Sequence, residues 1–505
     1  MITSASARLM LLTLLVVAHG LARADERPDG DAIVGPPVPP TPASPTPAPA
    51  ELPKVDIAAA PPKAPQYLNL RYDEDFSYLD GEPGSYEADF FDPIKNIHLD
   101  DDLRLSIGGE TRFRMESETH LDFGGRNRQT QDNFQLYRMF LHFDLKYRDT
   151  ARVFLQLGSA FVGDRELPPR PVDENRFDVQ QLFFDLKPFG DHTPLTVRIG
   201  RQELQYGNQR FVSPLDWANT RRRFDAVKLF WTAKDWRFDV FYAKPVIVRA
   251  THPDRYDEEF DFYGAYFTYG GIPRHGVDVF LFAVDDTRAR VNPNGAAGDV
   301  SRYTLGSRFW GKTENWDYEA MVAGQWGHWA GDTIQAWAWT FQGGYTFEEF
   351  PWKPRVGAAF DYATGDDNPR PGSAVGTFDQ LFPLGHAWLG YIDLVGRQNI
   401  HAFNLNLSAW PVRQKVKTAL AWHAFWLNAK EDSLYAANGA ALRRDPAGKS
   451  GREVGNELDL TLLWQLDRHS ELLFGYSHFW NGTFITKTGP SEDPDLFYVQ
   501  YAFRF

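Results

Sequence analysis

Residues 495–505 read D-L-F-Y-V-Q-Y-A-F-R-F, in which every second residue from Phe497 to Phe505 is apolar. The opposite face carries the polar residues Gln500 and Arg504. A period of two with one apolar face predicts a β-strand, and its place at the end of the chain fits the closing strand of a sheet. The same alternation recurs in most segments back to residue 103. This recurrence favours a closed sheet with lipid outside and water inside over a soluble sandwich.

The predicted first strand shows what each face of the sheet must contact. Its apolar face carries Leu103, Leu105, Ile107, Thr111, Phe113 and Met115, and its polar face carries Arg104, Glu110, Arg112, Arg114 and Glu116. Each arginine would cost about 2–4 kcal/mol if it faced hydrocarbon at the bilayer midplane. The polar face is therefore expected to line a lumen.

The alternation predicts an all-β fold, a transmembrane antiparallel β-barrel of about 18 strands. An even number is typical of single-chain bacterial barrels, and 16 to 18 strands enclose an aqueous channel unless loops plug it. The first strand begins at Leu103, and the others are expected at about 133–147, 151–161, 177–187, 194–202, 223–231, 236–245, 260–269, 276–285, 301–310, 316–327, 334–346, 354–363, 399–410, 414–427, 455–465, 469–480 and 496–505.

The lengths of the links between strands support this order. Long extracellular loops and short periplasmic turns should alternate, which places both termini in the periplasm. Only 328–333 breaks the alternation, and the apolar piece 387–395 is assigned to a loop because a nineteenth strand would make the number odd. Long links are expected at 119–132, 162–176, 203–222, 246–259, 286–300, 364–398, 428–454 and 481–495, and short ones at 148–150, 232–235, 270–275, 411–413 and 466–468.

The composition agrees with a membrane barrel of the bacterial outer membrane. The 505 residues include no cysteine, so a disulfide framework and a thiolate metal site are excluded. Aromatic residues make up 15% of the chain although the mean hydropathy is negative, as expected for alternating strands with aromatic girdles. The formal charge of −14 argues against nucleic-acid binding.

The N-terminal part predicts export and a spacer. Residues 1–24 carry Arg8, a short apolar run and A-R-A before the expected cleavage after Ala24, which fits a signal peptide better than a core helix. Residues 25–66 are expected to be a disordered periplasmic segment, because 12 prolines fall among the 30 residues 36–65. This segment could be a spacer or a docking site for periplasmic export partners. Residues 67–505 would form the barrel domain, with 67–102 as a lead-in on the periplasmic side.

The link after the fifth strand concentrates positive charge. Five arginines lie within the 23 residues 201–223, in and beside this link, against only Glu203 and Asp216. The link is therefore expected to attract anions at a pore mouth or constriction. A solvated basic loop held by lipid head groups is the alternative, and for inward strand residues the alternative is ion pairing between neighbouring strands. The pore-lining residues predicted from both features are Arg104, Arg112, Arg114, Arg138, Arg198, Arg201, Arg210, Arg221, Arg222, Arg223, Arg355 and Asp361.

Several motifs resemble the alginate-export family of outer-membrane proteins. The longest is V-R-I-G-R-Q-E-L-Q-Y-G-N-Q-R-F-V-S-P-L-D-W-A-N-T-R-R-R-F-D-A-V-K-L-F at 197–230, and others lie at 107–114, 378–399, 455–459 and 475–482. The resemblance covers about residues 67–505 and departs from the family in the proline-rich segment. It implies an 18-stranded barrel that carries a negatively charged polyuronate through an arginine-rich constriction gated by loops. Positions Arg201, Arg210 and Arg221–Arg223 match the motif and are implied to face the anion.

No catalytic or cofactor motif was found. Gly-x-Ser-x-Gly and His-Glu-x-x-His are missing, and Gly448-Lys449-Ser450 lacks the rest of a phosphate loop. The carboxylates at 254–261 and 365–368 could clamp a cation or be solvated loop charges. No cofactor, metal or enzymatic activity is therefore predicted.

The sequence thus predicts an outer-membrane channel for an anionic exopolysaccharide, alginate or a related polyuronate. The alternatives are a porin for uptake of small anionic or sugar-acid solutes and an outer-membrane enzyme or adhesin. Expected partners are the polysaccharide, outer-membrane lipid and the barrel-assembly machinery, which would engage the C-terminal strand ending in Phe505.

Overall fold

A computed structural model of the chain describes residues 67–82, 84–121, 123–124, 131–190, 193–412 and 414–505. The predicted signal peptide and proline-rich segment lie outside the described residues. In the described part, 18 long strands form one antiparallel sheet that closes into a barrel, as predicted. The strands are β1 (Leu103–Thr119), β2 (Gln131–Tyr147), β3 (Ala151–Gly163), β4 (Asn175–Leu186), β5 (Leu195–Gln202), β6 (Phe224–Thr232), β7 (Trp236–Ile247), β8 (Phe260–Ile272), β9 (His275–Val291), β10 (Ala297–Lys312), β11 (Trp316–Trp329), β12 (Asp332–Thr346), β13 (Arg355–Ala363), β14 (Ile400–Val412), β15 (Val416–Leu427), β16 (Glu453–Gln465), β17 (Ser470–Asn481) and β18 (Asp495–Arg504).

The first and last strands close the ring. β1 pairs with β18 from Glu110 opposite Arg504 to Thr119 opposite Asp495. Beyond this ladder, Gly109 N–H donates to the Phe505 carbonyl at 2.8 Å and Phe505 N–H donates to the Gly109 carbonyl at 3.0 Å. The predicted closing strand is therefore confirmed.

Alternate residues on each strand face the lumen and the outside. On β1, Arg112 and Arg114 are buried inside the barrel, whereas the alternate residues Phe113 and Met115 are exposed on its outer surface. On β18, Tyr498 is buried and Phe497 is exposed. A bilayer would cover the apolar outer face and leave the charged inner face within the lumen.

The links separate the barrel into two ends. The short-turn end carries the links after the even-numbered strands, such as 148–150, 233–235 and 313–315, and the long-loop end carries 203–223, 364–399 and 428–452. The predicted long loop at 286–300 is wrong, because β9 and β10 continue as a paired hairpin and leave only 292–296 between them. The polar sequence of this hairpin suits strands that project into water, which is why its charges indicated a loop.

The irregular link predicted at 328–333 is a tight hairpin. β11 ends at Trp329 and β12 begins at Asp332, so Ala330 and Gly331 alone make the turn. Their φ angles are 53° and 86°, as a type I′ turn requires at both central positions.

Other elements are short. Two-residue strands pair with β1 and β7, and a hairpin forms within 428–452. Residues 387–395 belong to a loop, as predicted. These elements are the strands Ile97–His98, Arg255–Tyr256, Ser433–Tyr435 and Ala441–Arg444, the 3-10 helices Arg71–Asp73, Ser77–Asp80, Asp92–Ile94 and Gly385–Ala387, and the α-helix Thr483–Thr488.

Within the described residues, no helix combines the length and the apolar character needed to cross a membrane.

Candidate functional site

The link 203–223, here called inner loop 1, crosses the lumen. β5 and β6, which flank it, have 8 and 9 residues, whereas β1 and β2 have 17 each. The loop therefore leaves the wall early. The Tyr206 hydroxyl donates to Asp239 on β7 at 3.2 Å, and Phe211 packs against Phe280 on β9 with ring centroids 5.1 Å apart. On the other side of the ring, Arg138 of β2 donates to the carbonyl of Asp216 at 2.9 Å.

The link 364–399, here called inner loop 2, meets inner loop 1 inside the barrel. Phe382 N–H donates to the Phe211 carbonyl at 2.9 Å, and Ser213 N–H donates to the Phe382 carbonyl at 3.0 Å. The Arg222 guanidinium donates to the same Phe382 carbonyl. Phe211 and Phe378, one from each loop, are buried in one apolar cluster with wall residues. The lumen therefore contains a packed apolar core. The sequence predicts an aqueous channel unless loops plug it, and here two loops meet inside the barrel.

A four-layer stack joins the wall to both loops. The guanidinium of Arg114 on β1 lies 3.8 Å from the ring centre of Trp217 in inner loop 1. The other face of Trp217 stacks on His386 of inner loop 2 at 3.8 Å, and His386 stacks on Tyr391 at 4.4 Å. The sequence indicated no role for His386, and the structure places it at the joint between the two inner loops.

Arg222, one of the five arginines predicted in and beside inner loop 1, donates to the carbonyls of Ser213, Phe382 and Pro383. The other four are paired with acids of the barrel wall, of this loop or of the link after β7. The positive excess counted along the sequence is thus balanced by acids that are distant in the chain. The pairs are Arg201 with Asp225 at 2.8 Å, Arg210 with Asp361 at 2.6 Å, Arg221 with Glu203 at 2.6 Å and Arg223 with Asp254.

The strand arginines predicted to line the pore do point inward and also have partners. Arg112 donates to the carbonyls of Asp216 and Ala218, so it positions inner loop 1. Arg104 lies near the short-turn end and is partly exposed. The remaining pairs are Arg104 with Asp80 at 2.8 Å, Arg114 with Glu116 at 2.6 Å, Arg138 with Glu110 at 2.8 Å, Arg198 with Asp185 at 2.7 Å and Arg355 with Asp317 at 2.6 Å.

Asp216 is the charged centre of inner loop 1. Burial by itself raises the pKa of this carboxyl, but Arg138, Arg221 and Arg112 outweigh it and hold the pKa well below the ordinary value. Arg138 and Arg221 donate to Asp216 Oδ1 at 2.8 Å and 2.6 Å. The carboxylate therefore stays ionised and ties the loop to the wall.

Arg397 of inner loop 2 differs from these arginines. Its side chain is buried, and its Nε and Nη2 atoms have no hydrogen-bond partner among the described residues. Nη1 donates weakly to Thr340 at 3.4 Å, and the guanidinium lies over Phe211 at 4.5 Å. Burial, followed by the guanidinium of Arg210, lowers the pKa of Arg397 to about 9. An anion bound here would satisfy the two free nitrogens.

Arg210 lies beside Arg397 at the junction of the two loops. Its Nη1 donates to Asp361 and its Nη2 to Gln342 at 3.0 Å. Its Nε has no hydrogen-bond partner in the described part of the chain and lies 3.8 Å from Glu319 Oε1. The ring of Trp388 covers the Arg210 guanidinium at 4.0 Å. Arg397 lies within the motif at 378–399, but the sequence assigns it no role, because its lack of hydrogen-bond partners at Nε and Nη2 among the described residues is visible only in three dimensions.

Of the two candidate cation clamps, the one at 365–368 binds backbone groups, since Asp366 accepts from the N–H groups of Asn368 and Gly376. The one at 254–261 holds arginines. Asp254 pairs with Arg223, and Asp257 with Arg288 at 2.7 Å. Among the residues that the structure describes, no group of three or more His, Asp or Glu side chains could hold a metal ion.

Comparisons with known proteins identify the kind of barrel. A family model described as "Alginate export" matches residues 103–499. A search of curated proteins returned no match. Solved barrels from Pseudomonas aeruginosa are similar in fold: OccD3 (OpdP), with a TM-score of 0.52 and 10% identity, covers 81% of this chain and 92% of its own. OccK11 (OpdR) has a TM-score of 0.50 and 10% identity over 79% of this chain and 96% of its own. OpdQ has a TM-score of 0.50 and 9% identity over 81% and 99%.

Proposed function

Because the chain belongs to the alginate export family of outer-membrane channels, we propose that it conducts an anionic polysaccharide, alginate or a related polyuronate, past Arg210 and Arg397. The family and fold are those of channels and not of enzymes. The observation that carries the proposal is the buried Arg397 guanidinium inside a barrel of this family, with two nitrogens that no described residue hydrogen-bonds.

The chemistry of the arginine pair suits a uronate. Sugar carboxylates are ionised at neutral pH, and a guanidinium can bind a carboxylate through two parallel hydrogen bonds. The two guanidinium groups lie over the rings of Trp388 and Phe211, so a sugar ring bound to them would have aromatic neighbours. Carboxylates along a polymer could exchange contacts at this position, provided that each contact is weak enough to release.

Passage of a polymer requires the inner loops to move. Both loops pack apolar side chains into the cluster that fills the lumen. Opening therefore means separating Phe211 and Phe378 from the wall, with the loops swinging toward the long-loop end from which they enter.

The test is block of single-channel current by an oligouronate in planar bilayers. Arg397→Gln removes the charge but keeps a hydrogen-bonding side chain, and we expect the oligouronate to block roughly tenfold less tightly, since a hydrogen bond to a charged group is worth about 1.5–3 kcal/mol. The matched control is Arg148→Gln, which removes the same charge from an exposed short turn and should leave block unchanged. A neutral oligosaccharide should not block either variant.

Two results would contradict the proposal. Equal block of Arg397→Gln and the unmodified protein would remove Arg397 from the anion path. Ready permeation of monomeric sugar acids without any block by the oligomer would instead support an uptake porin for small anions.

A further inference from the structure

The segment 67–76, here called the strap, lies inside the barrel near the short-turn end. Its residues Leu70 and Tyr72 are buried, and they form a separate apolar cluster with Phe154 of β3 and Phe183 of β4. The Tyr72 ring meets these two phenylalanines edge-on at 5.9 Å and 5.3 Å. The strap is therefore docked in a pocket of the inner wall.

The strap is also fixed to the seam of the barrel. Arg71 donates from Nη1 to the Gly109 carbonyl at 2.9 Å and from Nη2 to the Phe505 carbonyl at 2.8 Å. Its Nε is held by Glu74 at 2.6 Å, which orients the guanidinium. Arg71 thus binds the two residues at which β1 and β18 close the ring.

The strap has further contacts with the barrel, such as that of the Tyr67 hydroxyl with His469 Nδ1 at 3.3 Å, and it also contacts inner loop 1. Asn69 Nδ2 donates to Gln205 Oε1 at 2.6 Å, and the Tyr72 hydroxyl donates to the Glu203 carbonyl at 2.9 Å. From the far end of the loop, Arg221 donates to Asn69 Oδ1 and to the Asn69 carbonyl, each at 3.0 Å. The strap therefore holds both ends of inner loop 1, where a hinge motion of that loop would have to occur.

We propose that the strap is a releasable latch that holds inner loop 1 across the lumen, so that the channel opens only when the strap leaves its pocket. The contacts between strap and loop are a few hydrogen bonds made by Asn69 and Tyr72, whereas the strap itself precedes the barrel strands and can leave without breaking the sheet. Its removal breaks the contacts to Glu203, Gln205 and Arg221 together, so both ends of the loop lose a support at once.

This inference rests on the proposed channel function but not on its cargo. The chain has no cysteine, so a cysteine pair can be introduced cleanly. Asn69→Cys with Gln205→Cys replaces two side chains that already touch. We expect the oxidised pair to lose open-channel current in planar bilayers and the reduced pair to regain it. Each single-cysteine variant, oxidised in the same way, should conduct as the unmodified protein does.

A second variant tests release in the opposite direction. Tyr72→Ala with Asn69→Ala removes the contacts to Glu203 and Gln205 and should raise the fraction of time spent open at least severalfold. The inference is overturned if oxidation of the cysteine pair leaves the current unchanged, or if the double alanine variant opens no more often. Both readouts concern gating, so a loss of oligouronate block with intact gating would count against the cargo and leave the latch standing.

Discussion

Lys95 is a buried cation in the part of the chain that precedes the barrel strands. Its ammonium donates to the Ile107 carbonyl at 2.8 Å and lies over the rings of Tyr67, Phe76 and Phe505 at 5.0–5.5 Å. Burial, followed by the guanidinium of Arg71, lowers the pKa of Lys95 from its ordinary value of 10.5 to about 7. Between about pH 7 and pH 10.5, Lys95 is therefore mostly neutral when the part of the chain that precedes the barrel strands is docked, and mostly protonated when it is undocked.

Docking of this segment should therefore strengthen as pH rises from about 7 to about 10.5, and this group should add no further change below about pH 7. A spin label on Ser77→Cys, an exposed position, would report the mobility of the segment. We expect mobility to fall with rising pH in the parent and to stay flat with Lys95→Met. Burial raises the pKa of Tyr67 above this range, so its hydroxyl does not titrate there. A pH response that survives Lys95→Met would contradict the assignment.

The sequence predicted which arginines point inward but not what they contact. Alternation places Arg138 and Glu110 on one face, because neighbouring positions on paired strands follow from a local rule. It cannot reveal that Arg210 meets Asp361, since 151 residues separate them in the chain. The same limit hid Arg397, which is distinguished by two guanidinium nitrogens that have no hydrogen-bond partner among the described residues.

The strands were predictable because their signal is local. Each of the 18 carries its own alternation, and the bilayer enforces it by penalising charge on the outer face. The error at 286–300 arose where β9 and β10 extend as a polar hairpin, since no lipid is there to demand apolar residues. Where strands extend into water, pairing with the neighbouring strand decides where they end. The sequence of one strand alone does not show that pairing.

An arginine introduced on the outer face of one strand should cost more stability than an arginine introduced on its inner face. Leu460 lies mid-strand on β16 and is 51% exposed on the outer surface, while the next residue, Thr461, faces inward beside Ala419 and Gly475. Leu460→Arg should lower the free energy of unfolding in lipid vesicles by about 2–4 kcal/mol, because the charge faces hydrocarbon. Thr461→Arg is the matched control and should cost much less. If urea titrations showed equal losses of unfolding free energy for the two variants, the outer and inner faces of β16 would not differ in environment.

For the whole molecule, strand number fixed the width of the barrel but not its contents. A barrel of 18 strands is wide enough for water, yet two inner loops and the strap occupy this one. The loops carry apolar residues such as Phe211 and Phe378 outside any strand pattern, so the sequence offered no face to which they could be assigned. The position of these loops in the lumen depends on the short strands β5 and β6 and on contacts with wall residues around the entire ring.

The formal charge of −14 favours cations in the channel, whereas the buried Arg397 guanidinium favours anions. If the net charge governed the current, the channel would prefer cations at 0.1 M salt and lose that preference at 1 M, because the screening length falls from about 10 Å to about 3 Å. Arg397 and Arg210 act on an ion in direct contact, which salt screens far less. We therefore expect reversal potentials in KCl gradients to show anion preference at both concentrations, and Arg397→Gln to reduce it at both. Cation preference at low salt would mean that the acidic excess, and not the arginine pair, controls the lumen.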